Sequence, residues 1–211
     1  MSEEQKQTES TVEEKNPSVT HLPGYAQDAA AIIWSAIERL ETPGAAQVAS
    51  RAFADMIQSK APAAKKFHHC YPYGLLVHTA EVLDYSTRLS DTETVALAAI
   101  LHDWAKVYEY KFDLGEGGVY LKENDRFVIS DLPYRKNVGH VSGSVVLFIG
   151  AALEYRMTAD LVQNVVHCML AHHGRLEWGS PVTPQTPEAW ALHLGDMFSA
   201  HAGAKRNGEW D

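Results

Sequence analysis

Seven histidine and aspartate residues spread along this chain are of the types that bind divalent transition metal ions. Imidazole nitrogens and carboxylate oxygens are common protein ligands of such ions. The gaps between the residues are long enough for the ligands to come from several different helices. The seven residues are His78, His102, Asp103, His140, His172, His173 and Asp196. Their order along the chain predicts a metal centre at which the helices of one domain meet.

Asp103 has the central place in this hypothesis, because one carboxylate has two oxygens and can bridge two metal ions. With Asp103 shared, the first ion would bind His78, His102 and Asp196, and the second would bind His140, His172 and His173. Two adjacent histidines can reach one point only where a helix ends, and Gly174 is well placed to end that helix. The sequence therefore predicts a dinuclear site.

A lysine follows the His102–Asp103 pair. His102 and Lys106 are four residues apart, which predicts that both lie on one face of a helix that begins at about residue 90 and runs through 95–105. A cation beside a metal-binding carboxylate can neutralise a phosphate oxygen. We therefore predict Asp103 and Lys106 as catalytic residues, with Lys106 also binding the substrate.

Three further residues are candidates for substrate contact. Arg175, in the loop after the histidine pair, would neutralise a phosphate oxygen, or would simply be a surface residue. His69, or its neighbour His68, would contact the substrate or protonate the leaving group, with a structural role as the alternative. Trp178 would stack on a base, or would close the core.

Apolar residues at three- and four-residue spacing predict that most of the chain is helical. The periodicity changes between about residues 115 and 130, where 119–121 and 127–129 resemble two short strands around a polar turn. We therefore predict an all-α helical bundle with a small β-hairpin-like insertion. The predicted helices cover about residues 26–40, 45–60, 74–89, 90–105, 140–154, 159–173 and 187–202.

The length of 211 residues and the hydrophobic content of 45% suit one soluble domain, predicted over residues 21–211. The first twenty residues carry five glutamates against two lysines, which predicts a disordered acidic tail over residues 1–20. No apolar run is long enough to cross a bilayer and the start does not resemble a signal peptide. We therefore expect a cytoplasmic protein, with Cys70 and Cys168 as reduced thiols.

The formal net charge of −9 bears on the partners. A protein that grips duplex nucleic acid needs a basic face, so an acidic chain argues against an extended duplex-binding surface. The partner expected from the residues is a phosphorylated small molecule or a short single-stranded nucleic acid, and no membrane.

The sequence LHDWAK at residues 101–106, preceded by His78 and followed by Asp196, resembles the HD-domain superfamily of metal-dependent phosphohydrolases. The added His140 and the pair at 172–173 resemble the dinuclear branch of that superfamily. Two further segments, HHCYPYGLLVHT at 68–79 and HHGRLEWGSP at 172–181, are similar to the HD portion of YhaM-type bacterial 3′-to-5′ exoribonucleases.

This resemblance covers about residues 60–200. It implies an HD-type helical fold and hydrolysis of a phosphoester of a nucleotide or short nucleic acid at two divalent ions. Manganese, iron, cobalt, nickel and zinc all suit mixed imidazole and carboxylate ligands, so the ligands do not select among them.

Two other function classes remain open. Some dinuclear HD-like proteins hold a mixed-valent iron pair and oxidise small molecules, and oxygen uptake with a mixed-valence electronic signature would favour that oxygenase activity. A non-enzymatic binding or regulatory domain of the same fold is the other class, which the complete ligand set and Lys106 disfavour.

Overall fold

The computed structural model describes residues 19–206, with side chains described up to residue 202. Helices dominate the described chain, as predicted, and they enclose one apolar core. Most of the predicted acidic tail, residues 1–18, lies outside the described residues. The helices are α1 Gly24–Ile37, α2 Ala45–Ser59, α3 Gly74–Leu89, α4 Glu93–Leu101, α5 Pro133–Asn137, α6 His140–Glu154, α7 Ala159–Ala171 and α8 Pro187–Arg206.

Helix α3 lies at the centre of the bundle and packs against α1, α4 and α8. Its apolar residues Leu75, Leu76 and Val82 are buried in the core, and His78 is buried among them. The approach of α8 to α3 depends on Gly195, because a Cβ at this position would lie 2.1 Å from Ser86 Oγ. The residue after this glycine is Asp196, so the close contact of the two helices brings the carboxylate towards α3.

Helix α4 ends four residues earlier than predicted. It begins after Thr92, whose hydroxyl accepts a hydrogen bond from the Val95 amide, and it ends at Leu101 instead of running through residue 105. The Ala105 amide donates to Ser144 Oγ on α6, a tertiary bond in place of a helical one. Lys106 therefore lies in a 3₁₀ turn, Trp104–Tyr108, and not one α-helical turn beyond His102.

The β excursion is larger than predicted and pairs differently. Strands β2 Lys122–Glu123 and β3 Arg126–Phe127 form a hairpin whose two turn residues, Asn124 and Asp125, both have positive φ. This two-residue turn sets the register, and the inner ends of the predicted strands at 119–121 and 127–129 pair, because the Val128 amide donates to the Leu121 carbonyl. Tyr120 pairs instead with Leu114. Two further strands, β1 Tyr110–Phe112 and β4 Ile129–Asp131, pair at the base of the excursion.

The remaining helices place the second half of the predicted ligand set. Helix α6 begins at His140, as predicted, whereas α7 ends at Ala171, two residues before its predicted end. His172 and His173 thus follow the last helical turn, which leaves their rings free to point in one direction. Across residues 19–206 we find no helix with the length and apolarity needed to span a membrane.

Candidate metal centre

The other six predicted ligands lie around the carboxylate of Asp103, which is buried. Its Oδ2 lies 3.4 Å from His78 Nε2 and 3.3 Å from His102 Nε2. Its Oδ1 lies 3.5 Å from His140 Nε2 and 3.8 Å from His172 Nε2. The two oxygens therefore face different histidine pairs, contributed by different helices.

The two remaining ligands join opposite sides of this carboxylate. Asp196 Oδ1 is 3.1 Å from His78 Nε2 and 3.9 Å from His102 Nε2, which places it beside Oδ2 of Asp103. His173 Nε2 is 3.3 Å from His140 Nε2, on the Oδ1 side. Ligand atoms from His140, His172 and His173 lie within 4.8 Å of one another, as do those from His78, His102 and Asp103. The predicted division into two groups that share Asp103 matches this geometry.

Carbonyl groups fix the tautomer of three imidazoles. His102 Nδ1 is 2.8 Å from the Ala99 carbonyl, His172 Nδ1 is 2.6 Å from that of Met169, and His173 Nδ1 is 2.9 Å from that of Trp178. A carbonyl oxygen only accepts hydrogen bonds, so each Nδ1 carries the proton. Each neutral ring therefore presents a lone pair at Nε2, towards the cluster.

Carboxylates orient the other two imidazoles. His140 Nδ1 lies 3.3 Å from both oxygens of the buried Glu109. His78 Nδ1 lies 2.8 Å from Ser199 Oγ, and Ser199 donates its own proton to Glu81 Oε2 at 2.9 Å. Ser199 Oγ must then accept a hydrogen bond from the N–H at Nδ1 of His78. Carboxylate support of this kind makes a ligating imidazole a better electron donor.

Within the described part of the chain, several atoms at the centre of this cluster are buried without a hydrogen-bond partner. They are the Nε2 atoms of His78, His102 and His172 and Oδ1 of Asp103, whereas Oδ2 of Asp103 has the ion pair with Lys106. Each such atom costs about 1–3 kcal/mol when it is left unsatisfied. Lone pairs from neutral imidazoles and an anionic carboxylate that face one another have no protons to share, so this donor set fits divalent cations.

Lys106 is the cation nearest to the carboxylate. Its Nζ lies 2.5 Å from Asp103 Oδ2, and the side chain is buried. Burial by itself would raise the pKa of Asp103, but Lys106, His102 and His78 together hold that pKa well below its usual range. In Asp196, burial is likewise outweighed by the hydrogen bond and charge of His78, which lower the pKa. Both carboxyl groups are therefore ionised at neutral pH.

His69 packs against His78, with ring centroids 5.4 Å apart. It is 1% exposed, and its Nε2 is 3.2 Å from Glu81 Oε2, the same oxygen that accepts from Ser199. These contacts suit a supporting role for His69, and its substrate contact stays a prediction. The neighbouring His68 is half-buried, with its ring 5.1 Å from that of His78.

Arg175 and Trp178 lie in the exposed turn after α7. The guanidinium carbon of Arg175 is 4.8 Å from the centre of the Trp178 ring, and that ring is 49% exposed. The main-chain carbonyl of Trp178 reaches the cluster, through its bond to His173. Trp178 therefore does not close the core, and the predicted phosphate and base contacts of this pair stay predictions.

Three residues of the site were missed by the sequence reasoning. Glu81 follows His78 by three residues and Glu109 follows Lys106 by three, so helical spacing is the signal that could have identified both. Ser199 carries no such signal, because only the packing of α8 on α3 brings it to His78.

Three buried or half-buried histidines with lowered pKa values should make the metal-free protein less stable at acidic pH. Burial and neighbouring imidazoles lower the pKa of His172 and His173, and burial lowers that of His68 to about 2. In the unfolded chain each would bind a proton below about pH 6.5. The unfolded state then binds more protons, so the stability that these groups contribute above pH 6.5 is lost as the pH falls below it.

The pKa of His78 is shifted in the opposite direction. Burial opposes its charge, but Asp103 and Asp196 raise its pKa, so its contribution is complete below pH 6.5 and does not offset the loss. We expect the free energy of unfolding of the metal-free protein to fall by at least about 1 kcal/mol per pH unit between pH 6.5 and 5. Urea denaturation at several pH values measures this slope, and His68→Asn should reduce it. A flat profile would contradict neutral histidines in the folded state.

Comparison with known families gives one match. A sequence model of the HD domain matches residues 75–201, which is more than half of the chain and includes every residue of the predicted ligand set. No solved structure matches the chain significantly.

Proposed function

Since this chain belongs to the HD domain family, we propose that it hydrolyses a phosphoester of a nucleotide or a short nucleic acid at two divalent metal ions. The family supports a metal-dependent hydrolase, and the His and Asp groups could hold metal. That there are two ions, that the bond is a phosphoester and that the substrate is a nucleotide or nucleic acid are proposed here beyond the family. The closer likeness to YhaM-type exoribonucleases stays a prediction.

One observation carries the proposal. The Nε2 atoms of three buried imidazoles and Oδ1 of Asp103 meet without hydrogen bonds among the residues described, and Oδ2 of Asp103 has only the ion pair with Lys106. The division of this carboxylate, Oδ2 towards His78 and His102 and Oδ1 towards His140 and His172, supports two ions instead of one. Metal identity is left open by these ligand types.

When bound, two divalent ions acidify a water molecule at neutral pH and neutralise the charge that builds on a phosphate during hydrolysis. Asp103 would contribute one oxygen to each group of ligands. Glu109 and the Ser199–Glu81 pair would keep His140 and His78 in the tautomer that binds metal. Lys106 would turn from Asp103 to a non-bridging phosphate oxygen and stabilise its developing charge.

The role of Lys106 gives a testable expectation. Lys106→Met keeps a long side chain in this buried position but removes the charge. We expect kcat for bis-p-nitrophenyl phosphate to fall roughly 10²-fold, because one preorganised cation at the phosphate is lost. Metal content, measured by elemental analysis, should stay at the level of the unmodified protein.

The matched control is Lys106→Arg, which keeps the charge and should retain more activity than Lys106→Met. Loss of bound metal in Lys106→Met would show instead that the lysine maintains the geometry of Asp103, and its catalytic assignment would be wrong.

The proposed reaction is tested with purified protein of measured metal content. Hydrolysis of bis-p-nitrophenyl phosphate should require bound metal, disappear after chelation and return when divalent ions are restored. Metal-loaded protein that hydrolyses neither this ester nor nucleotide phosphoesters would overturn the proposal. Oxygen uptake by an iron-loaded, mixed-valent form would favour the oxygenase alternative.

A further inference from the structure

Two cavities adjoin each other beside the candidate metal centre, between the segment that precedes α3 and the β excursion. The larger, of about 800 Å³, is polar and is lined by three cations, Lys65, Lys66 and Arg126. The smaller, of about 670 Å³, is largely aromatic. Tyr71 and Phe127 line both cavities, so the two spaces are continuous along one surface.

The polar cavity has the chemistry to hold a phosphate group. Glu123 and Asp125 also line it, at the hairpin turn, and Asp131 pairs with Lys65, so three carboxylates lie beside the three cations. Lys65 is paired with Asp131 at 3.4 Å, but both side chains are more than 40% exposed. Exposed pairs of this kind contribute little, so exchanging the carboxylate for a phosphate costs little.

The aromatic cavity has the chemistry to hold a base. Its rings come from three separate parts of the chain: Tyr25 from α1, Tyr71 and Tyr73 from the segment before α3, and Tyr120 and Phe127 from the excursion. Tyr25 is 46% exposed, and its ring meets that of Tyr71 edge-on at 5.6 Å. Partly exposed rings that wall a cavity offer faces on which a flat heterocycle can stack.

Both cavities lie within a short distance of the metal cluster. The ring of His69 is 5.4 Å from that of His78 and 5.9 Å from that of Tyr71. On the other side, the His68 amide bonds to the Lys66 carbonyl, and His68 contacts His78. A substrate that places one phosphoester at Asp103 could therefore extend into the two cavities with its neighbouring unit.

We propose that these cavities form a subsite for one nucleotide unit next to the phosphoester that is hydrolysed. The phosphate of that unit lies against Lys65, Lys66 and Arg126, and its base lies against Tyr25 and Tyr71. The subsite rests on the proposed phosphoester hydrolysis. It gives an acidic protein a local means of attracting a polyanion, and it favours a substrate of at least two nucleotides over a mononucleotide.

The test compares two substrates. Bis-p-nitrophenyl phosphate contains no nucleotide that could occupy the subsite, whereas a single-stranded thymidine tetranucleotide does. For each variant of the metal-loaded protein, the ratio of kcat/KM for the tetranucleotide to kcat/KM for the small ester is measured. The double variant Lys65→Ala/Lys66→Ala and the variant Tyr25→Leu should each lower this ratio about tenfold.

Two control variants test whether the effect is specific to the cavities. Tyr25→Phe retains the ring and should restore the ratio that Tyr25→Leu loses. Lys111→Ala removes a cation from the same excursion but not from the cavity lining, and should leave the ratio unchanged. A wild-type ratio in the lysine double variant, or equal ratios in the two Tyr25 variants, would overturn the subsite.

Failure of the subsite and failure of the reaction can be told apart. If the metal-loaded protein hydrolyses neither compound, the proposed function fails, and fluorescence anisotropy of a labelled tetranucleotide then decides the subsite. A tenfold weaker Kd in the two loss variants supports the subsite without the reaction. Absence of tetranucleotide binding and hydrolysis, beside normal hydrolysis of the small ester, overturns the subsite alone.

Discussion

Asp103→Asn should abolish both metal binding and phosphoester hydrolysis while the protein stays folded. The substitution keeps the shape of the side chain but replaces a charged group with two oxygens by a neutral amide with one. Oxygen Oδ2 faces His78 and His102, and Oδ1 faces His140 and His172, so either orientation of the amide turns an NH₂ group towards one pair. Both groups of ligands are damaged by one change.

The expected loss of kcat/KM for bis-p-nitrophenyl phosphate is at least about 10³-fold, because in the proposed reaction the bound metal would supply both the nucleophile and the charge neutralisation. Elemental analysis should find little bound metal. Circular dichroism should show unchanged helix content, since the amide can donate to an imidazole Nε2 that is unpaired in the parent structure. The combination of intact fold and lost metal separates a ligand from a residue that merely stabilises the core.

Asp84→Asn is the matched control, because Asp84 is a half-exposed aspartate on α3 that pairs with Arg88. It should retain metal and activity. Full hydrolysis by Asp103→Asn would refute the assignment of the bridging carboxylate, whatever the metal content. Retained metal with lost activity would instead assign Asp103 a role in the chemistry alone.

The residues that meet at the candidate metal centre could be predicted from the sequence because the information about them is local. Asp103 adjoins His102, the histidine pair at 172–173 precedes a glycine, and His78 falls among the apolar residues of a helix. Each of these relations follows from chain spacing and helix geometry. Helix α3, which carries His78, has the predicted ends for the same reason.

The end of α4 could not be predicted in this way. The alanine-rich run favours helix up to residue 105, but Ser144 on α6 takes the amide of Ala105 and the chain tightens into a 3₁₀ turn. Tertiary contacts override propensity at this position. Strand β1 was not predicted either. Its partner β4 lies at the far end of the excursion, and three residues are too few for a strand pattern to be recognised.

Among the groups that orient the imidazoles, Ser199 could not be predicted from the sequence, because it lies 121 residues from His78. A single serine has no spacing that distinguishes it from a solvated surface residue. Only the packing of α8 on α3 brings it to the imidazole.

The two groups of ligands differ in exposure, which bears on how metal enters. His78 and His102 have no exposed surface, whereas the side chain of His140 is 18% exposed and His173 is half-buried. The group on the Oδ1 side of Asp103 is therefore the more accessible one. We expect its ion to exchange with solvent faster and to be removed first by a chelator.

Metal binding should strongly stabilise the fold. In the metal-free protein, four buried ligand atoms have no hydrogen-bond partner among the described residues, and Asp103 Oδ2 has only the ion pair with Lys106. Ions that bind the folded state alone contribute about 4 kcal/mol each at a free concentration about 1,000 times Kd. For a chain of this length, this corresponds to a rise in Tm of roughly 10 °C for each ion. Differential scanning calorimetry of chelated and metal-loaded protein measures the rise.

His173→Ala separates the two ions in this experiment, because it removes one ligand from the Oδ1 side and none from the Oδ2 side. The metal-dependent rise in Tm should fall to about half, with one ion retained by His78, His102, Asp196 and Asp103. His201→Ala, which changes an exposed histidine of α8, is the control and should keep the full rise. A single ion in the unmodified protein would refute the dinuclear site, and an unchanged rise in His173→Ala would show that this histidine does not bind metal.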